Sequence, residues 1–181
     1  MILGCTGNYR KKDFFNILDK ICDIISKEKI EMLISDDLIK SEKVNNYENY
    51  SLVEFDILAN QTDIILAIGG DGTILSTVRR LGKNQKPIMG IHIGGLGFLS
   101  ECVEADLLES INYVINRDYD VSNRMLLEVC VIQNDKEEKY YALNDIVIDH
   151  GPSARILKIE VNVSNNYLNT YEGDGLIFST P

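Results

Sequence analysis

The chain has 181 residues, 45% of them hydrophobic and 25% charged, the fractions of an ordinary globular protein with room for one domain or two small ones. No apolar run reaches the roughly 18–20 residues of a membrane helix, and the start, MILGCTGNYR, lacks the basic stretch and long apolar core of a signal peptide, so a cytoplasmic location is expected. With 28 acidic and 18 basic residues the net charge is −10, which argues against a general nucleic-acid binder. An anionic small molecule stays possible, because a loop can hold phosphate with its backbone N–H groups.

Taken in chain order, residues 1–100 alternate between strand and helix. Residues 2–5 form a short apolar strand. Phe14, Phe15, Leu18, Ile21, Cys22 and Ile25 then recur at helical spacing, with lysines and aspartates between them. Residues 31–34 fit a second strand. Residues 35–50 are polar and Asn-rich and read as a loop or an irregular helix. Leu52, Val53, Phe55, Ile57 and Leu58 mark a short helix. Residues 63–68 (DIILAI) form an unbroken apolar strand, as in a parallel sheet covered on both faces. Residues 74–81 are helical, 87–93 (PIMGIHI) make another buried strand, and 105–115 a closing helix. This order implies a doubly wound parallel sheet with right-handed crossovers.

The pattern changes near residues 118–122. Leu127, Val129 and Val131, and later Leu157, Ile159, Val161 and Val163, alternate with mostly polar neighbours, which predicts antiparallel strands with one buried face. Asn134-Asp135 and Asn165-Asn166 supply turns. The expectation is an α/β domain over 1–120 followed by an all-β domain over 121–181.

The four cysteines, Cys5, Cys22, Cys102 and Cys130, form no CxxC pair, and neither His92 nor His150 has a partner at ligand spacing, so no structural metal site is expected. The glycines are more telling. Nine of the 13 fall in three clusters: Gly69, Gly70 and Gly72; Gly90, Gly94, Gly95 and Gly97; Gly173 and Gly175. Such clusters mark loops where backbone must come close to something.

Gly69-Gly70-Asp71-Gly72-Thr73 follows a buried parallel strand and opens a helix, the place where open α/β sheets bind ligands and where free N–H groups suit phosphate. Thr73 fits a cap or a phosphate contact. Asp71 is out of place beside phosphate unless it holds a cation or takes a proton from an attacking hydroxyl; the plain structural reading is a helix cap. The loop is neither a Walker A sequence nor GxGxxG. A second Gly-rich loop, 94–99, follows the next strand. Its Phe98 reads, taken alone, as core, and otherwise as an aromatic face for a base. Asn144-Asp145 interrupts an apolar strand; the pair suits an adenine edge and ribose hydroxyls, or a bulge. Gly173-Asp174-Gly175 reads by itself as a hairpin turn.

Four separated motifs, GGDGT at 69–73, GIHIGGLGFLSE at 90–101, ALNDIVI at 142–148 and GDGLIFSTP at 173–181, together resemble those of the NAD kinases, and Arg124-Met125-Leu126 fits the same family. GGDGT alone is shared with diacylglycerol and sphingosine kinases. The resemblance implies an α/β domain followed by a β-rich one, with the active site between them. It implies transfer of the terminal phosphoryl group of ATP, or of polyphosphate, to the 2′-hydroxyl of the adenosine ribose of NAD, giving NADP. It makes Asp71 the base and assigns Gly69, Gly70, Gly72, Thr73, Phe98, Asn144, Asp145, Arg155 and Asp174 to the nucleotides. It brings a divalent cation, Mg²⁺ first, and a homodimer or tetramer, with no nucleic-acid or membrane partner.

The chain departs from the family pattern at His92, where Asn is usual, at His150 before Gly151, where Arg is common, and at Ser76 and Glu172, where many members are basic. Mg²⁺ and backbone N–H groups are therefore expected to carry more of the phosphate charge. Competing readings are a lipid kinase of the GGDGT group and a non-catalytic NAD(P)-binding module. The chain stops inside the GDGLIFSTP block, so the expectation includes a β domain that is incomplete and a longer parent chain.

Overall fold

A computed structural model describes residues 1–28, 30–39, 50–94, 97–153 and 155–181. The chain divides into two compact units, Met1–Asn123 and Arg124–Pro181.

The first unit is built on six strands: β1 (Ile2–Gly7), β2 (Glu31–Ser35), β3 (Tyr50–Val53), β4 (Ile64–Gly69), β5 (Ile88–His92) and β6 (Cys102–Val103). They form one all-parallel sheet in the order β3-β2-β1-β4-β5-β6. Its helices are α1 (Phe14–Glu28), α2 (Phe55–Gln61), α3 (Asp71–Leu81) and α4 (Leu107–Asn116). The period-3.6 stripe of α1 buries Phe14, Ile17, Leu18, Ile21, Cys22 and Ile25, with Phe15 only partly covered. Together with Ile111 and Val114 of α4 it packs on Leu3, Cys5, Met32, Ile34, Leu66 and Ile68. Leu33 and Ile65, pointing the other way, pack with Phe55, Leu58, Ala59 and Leu81 of α2 and α3. β2 and β4 thus feed two cores, which is why β4 is buried along its whole length. No described helix is long and apolar enough to cross a membrane.

Two readings of this unit change. Leu52 and Val53 belong to β3, not to a helix; β3 is an edge strand with Leu52 half exposed, so its burial shows no strand alternation, and the helix begins at Phe55. Of the polar stretch 35–50, Ser35 ends β2, Asp36–Ile39 forms a single 3₁₀ turn and Tyr50 begins β3; 40–49 lies outside the described residues.

The second unit consists of three antiparallel ribbons. β7 (Leu127–Gln133) pairs with β8 (Lys136–Ala142), β10 (Leu157–Val163) with β11 (Asn166–Gly173), and β12 (Gly175–Ser179) with β9 (Asp145–Asp149). Asn134-Asp135 forms the first turn, both residues at positive φ, as a two-residue hairpin with right-handed strand twist requires. The second turn is Ser164-Asn165, one position earlier than the sequence reading, because Asn166 already pairs with Val163. Leu127, Val129, Leu157, Ile159 and Val161 are the better-covered side of their ribbons, but no described side chain from Arg124 onward is buried. The expected buried face is absent among the described residues of this unit, where each ribbon has only two strands.

Candidate active site

The strand order locates the crevice. From β1 the chain winds outward through β2 to β3, then returns to the other side of β1 and continues through β4, β5 and β6. The winding direction reverses between β1 and β4, and their carboxyl ends are the place where a doubly wound sheet opens for a ligand. β1 leads into the loop carrying Lys11, and β4 into Gly70 and α3. The ladder runs on past the ends of β1 and β5 onto β4: Asn8 N donates to Ile68 O at 2.9 Å, and Ile93 N to Gly69 O at 2.8 Å.

At this end Gly70 is extended, and its carbonyl accepts from Thr73 N (2.8 Å) and Ile74 N (3.3 Å) to start α3. The Thr73 side chain folds back over Gly69. Among the described residues, nothing beyond its own helix turn lies within 4 Å of the place a Cβ would take on Gly72, so the first turn of α3 is open there.

Asp71 does not cap its own helix. Its Oδ2 accepts from Phe98 N at 2.8 Å, and its Oδ1 from Leu99 N at 3.1 Å and Ser100 Oγ at 3.4 Å. Gly97 is glycine because this carboxylate lies against its Cα; a Cβ would overlap both oxygens. These donors, Phe98 N–H foremost, hold the Asp71 carboxyl below the ordinary carboxylate range. Phe98 N–H, Leu99 N–H and Ser100, through its hydroxyl and its backbone N–H, thus surround the carboxylate with donors. Phe98 itself is almost wholly exposed, which overturns the core reading of that ring. Gly95 and Leu96 lie outside the described residues.

Two residues that motif reading did not assign stand here. Lys11 Nζ donates to Gly69 O at 3.0 Å and to Ile93 O at 3.1 Å, tying the ends of β4 and β5 together. Its only sequence signal is its position just after the first strand. His92 ends β5 with its Nδ1 buried and without a hydrogen-bond partner. Gly69, Gly70, Asp71, Gly72 and Thr73 are therefore assembled with Lys11, His92 and 97–100.

In the second unit Asn144 and Asp145 do not interrupt one strand; they stand where β8 has ended and β9 begins. Asn144 O accepts from Thr180 N at 2.9 Å and from Thr180 Oγ1 at 3.3 Å. Asp174 links β11 to β12 rather than closing a hairpin, since β12 pairs with β9. The register Gly175↔Asp149 to Ser179↔Asp145 puts Asp174 and the Asn144-Asp145 pair at opposite ends of one ribbon. Asn144, Asp145, Arg155 and Asp174 are all exposed. Among the described residues no cluster of three or more His, Cys, Asp or Glu could cage a metal ion.

These features define a doubly wound α/β protein with its ligand crevice at the β1/β4 switch point, followed by a unit of antiparallel ribbons. Residues 4–119 match the family model of the ATP-NAD kinase N-terminal domain. The chain is 35% identical over 172 residues to an NAD kinase of Geotalea daltonii, covering 93% of this chain and 61% of that one. It is 38% identical over 163 residues to an NAD kinase of Sulfurimonas denitrificans, covering 90% and 55%. Among solved structures, the fold matches a yeast NADH kinase complexed with NADH (TM-score 0.86, 21% identity, 99% of this chain and 57% of that one). It also matches an NAD kinase from Archaeoglobus fulgidus in complex with ATP (TM-score 0.65, 19% identity, 99% and 60%). The chain belongs to the ATP-NAD kinase family. It spans between 43% and 62% of the length of the curated relatives it matches.

Proposed function

We propose that this chain carries the phosphoryl-transfer site of an NAD kinase: the terminal phosphoryl group of ATP, or of polyphosphate, passes to the 2′-hydroxyl of the adenosine ribose of NAD, giving NADP and the shortened donor. The observation that carries this reading is the placement of Asp71. It stands at the first turn of α3, at the crevice of the sheet, ionised and held in one orientation by backbone N–H donors.

Phosphoryl transfer through a loose transition state needs positioning and charge neutralisation more than a strong base. The incoming hydroxyl donates to Oδ2 and is thereby aimed along the line of attack. As the new O–P bond forms and the bond to the leaving phosphate breaks, the hydroxyl proton passes to Asp71 and then to water. The Phe98 and Leu99 N–H groups keep the carboxylate in one orientation throughout. The open face at Gly72 and the ring of Phe98 adjoin the same turn and fit the nucleotide contacts expected of them. Asn144, Asp145, Arg155 and Asp174 are assigned to the NAD side on family precedent.

A divalent cation, Mg²⁺ by its affinity for phosphate oxygens, belongs to the reading as a passenger on the donor, since Mg²⁺ needs few protein ligands when phosphates supply the rest. A homo-oligomer and a cytoplasmic location complete it. The test is NADP formation from NAD with Mg-ATP or polyphosphate, with sphingosine and diacylglycerol as rival acceptors. Asp71→Asn should lower kcat by about 10²–10⁴-fold with NAD binding retained. A fall of less than about 10-fold would remove Asp71 from the role of base, given what such bases supply.

A further inference from the structure

Lys11 carries a charge that the described residues leave uncompensated. Its ammonium is part-buried at the carboxyl end of the sheet, and it makes two hydrogen bonds, both to neutral carbonyls. None of the described ion pairs involves it. An ammonium has three donors, so one remains. Gly69 O, by contrast, is fully used, accepting from both Lys11 and Ile93 N.

The free donor has a defined neighbourhood. A Cβ on Gly70 would stand 3.3 Å from Lys11 Nζ and 3.3 Å from His92 Nε2, so the bare Cα of Gly70 leaves a corner flanked by an ammonium and an imidazole nitrogen. His92 has its other nitrogen buried and unpartnered, which leaves Nε2 as the ring atom that meets this corner. The first N–H groups of α3, an 11-residue helix, have no intrahelical acceptor and carry the positive end of its dipole. Asp71, the carboxylate nearest in sequence, is turned onto Phe98 and Leu99 N–H. Strand order independently puts the corner at the β1/β4 switch point.

We infer that Lys11 and His92, over the bare Cα of Gly70, form an anion subsite for a phosphate group of a polyphosphorylated ligand. This rests on the phosphoryl-transfer reading and gives that site a cation of its own. The chemistry recognised is a phosphate oxyanion, which the donor's phosphate chain or the pyrophosphate of a dinucleotide could each provide.

The test uses the whole chain and three probes: inorganic tripolyphosphate, Mg-ATP and NAD, each titrated by calorimetry. Lys11→Met should weaken tripolyphosphate by about 10-fold or more, and Lys11→Arg should restore most of the loss. Gly70→Ala should weaken it as well with Lys11 intact, because the methyl group fills the corner; Gly70 is extended (φ −174°), so alanine is not strained there. A parallel loss for Mg-ATP alone assigns the donor's phosphates to the subsite, and a loss for NAD assigns the pyrophosphate. If Lys11→Met does not fold, Lys11→Gln, one bond shorter and uncharged but still carrying N–H donors, takes its place.

Binding of all three probes within about twofold of the parent in folded Lys11 variants would overturn the subsite and leave Lys11 a clamp between strands. So would absence of tripolyphosphate binding to the parent chain. The two readings separate cleanly. NADP formation with unchanged KM for both nucleotides in the Lys11 variants sinks the subsite and spares the kinase. Lys11-dependent tripolyphosphate binding without NADP formation does the reverse.

Discussion

Gly90 tests how α3 is seated. It is buried in the middle of β5, directly beneath the helix that begins with Asp71. An added Cβ would stand 3.0 Å from Ser100 Cα and 3.2 Å from Ile74 Cγ1, with Ile74 Cδ1 nearer still. The tightest contact falls on Ile74, whose side chain is itself buried in α3. Gly90→Ala overpacks this seat and should cost about 1–3 kcal/mol. Ile74→Val removes only Cδ1 and should cost about 0.5–1.5 kcal/mol alone. Together the two changes compensate, because the deleted atom is the one the new methyl group strikes. The double variant should be more stable than the sum of the single costs predicts, by roughly 0.5–3 kcal/mol. All four described α-helices lie in Met1–Asn123, so far-UV helical ellipticity during urea unfolding reports on this unit and not on the ribbons. Costs that simply add to within about 0.5 kcal/mol would show that Ile74 is not what Gly90 accommodates.

Gly97→Ala should push the Asp71 carboxylate off the Phe98 and Leu99 N–H groups and let its titration rise toward the ordinary 3.8; side-chain carboxyl NMR against pH reads this, and an unmoved midpoint refutes it. Because the folded value lies below the unfolded one, this ion stabilises the fold fully above about 3.8 and loses its effect as pH falls through the lower folded value, a loss that Gly97→Ala should shrink. Asn144→Ala should weaken NAD binding by roughly 1–3 kcal/mol and leave Mg-ATP nearly untouched. Equal loss for both nucleotides, measured by titration, would take Asn144 out of the NAD contact.

What the sequence discloses depends on how local the physics is. β4 is legible because both of its faces are covered, so residues 64–68 (IILAI) are apolar throughout and the run stops abruptly at two glycines. β3 is illegible: four residues on the sheet edge, half of them exposed, show no period. β6 has only two residues. In the second unit the turns and alternation can be read, yet the partner of β12 cannot, since β9 lies far earlier in the chain and the intervening hairpin is self-contained. The same limit applies to the site. GGDGT announces the turn, but the donors that hold Asp71 stand 27–29 positions away, and nothing in the spacing of Gly97 or Ser100 names their partner. Lys11 is hidden for a similar reason, being one of several basic residues beside α1 until the sheet brings it to Gly69.

The separation of Lys11 from Gly69, 58 positions, has a kinetic meaning. Before β1 and β4 pair, the ammonium and the glycine turn belong to unrelated parts of an open chain, and no local hairpin or helix can bring them together. Crevice formation and the central pairing of the sheet are therefore a single non-local event, of the slow kind that topology rather than helix propensity controls. The entropy of that closure grows only logarithmically, by about 0.6 kcal/mol for a doubling of the intervening chain. Insertions between β1 and β4 would delay assembly slightly, and the walls of the crevice would meet in the same register once they do.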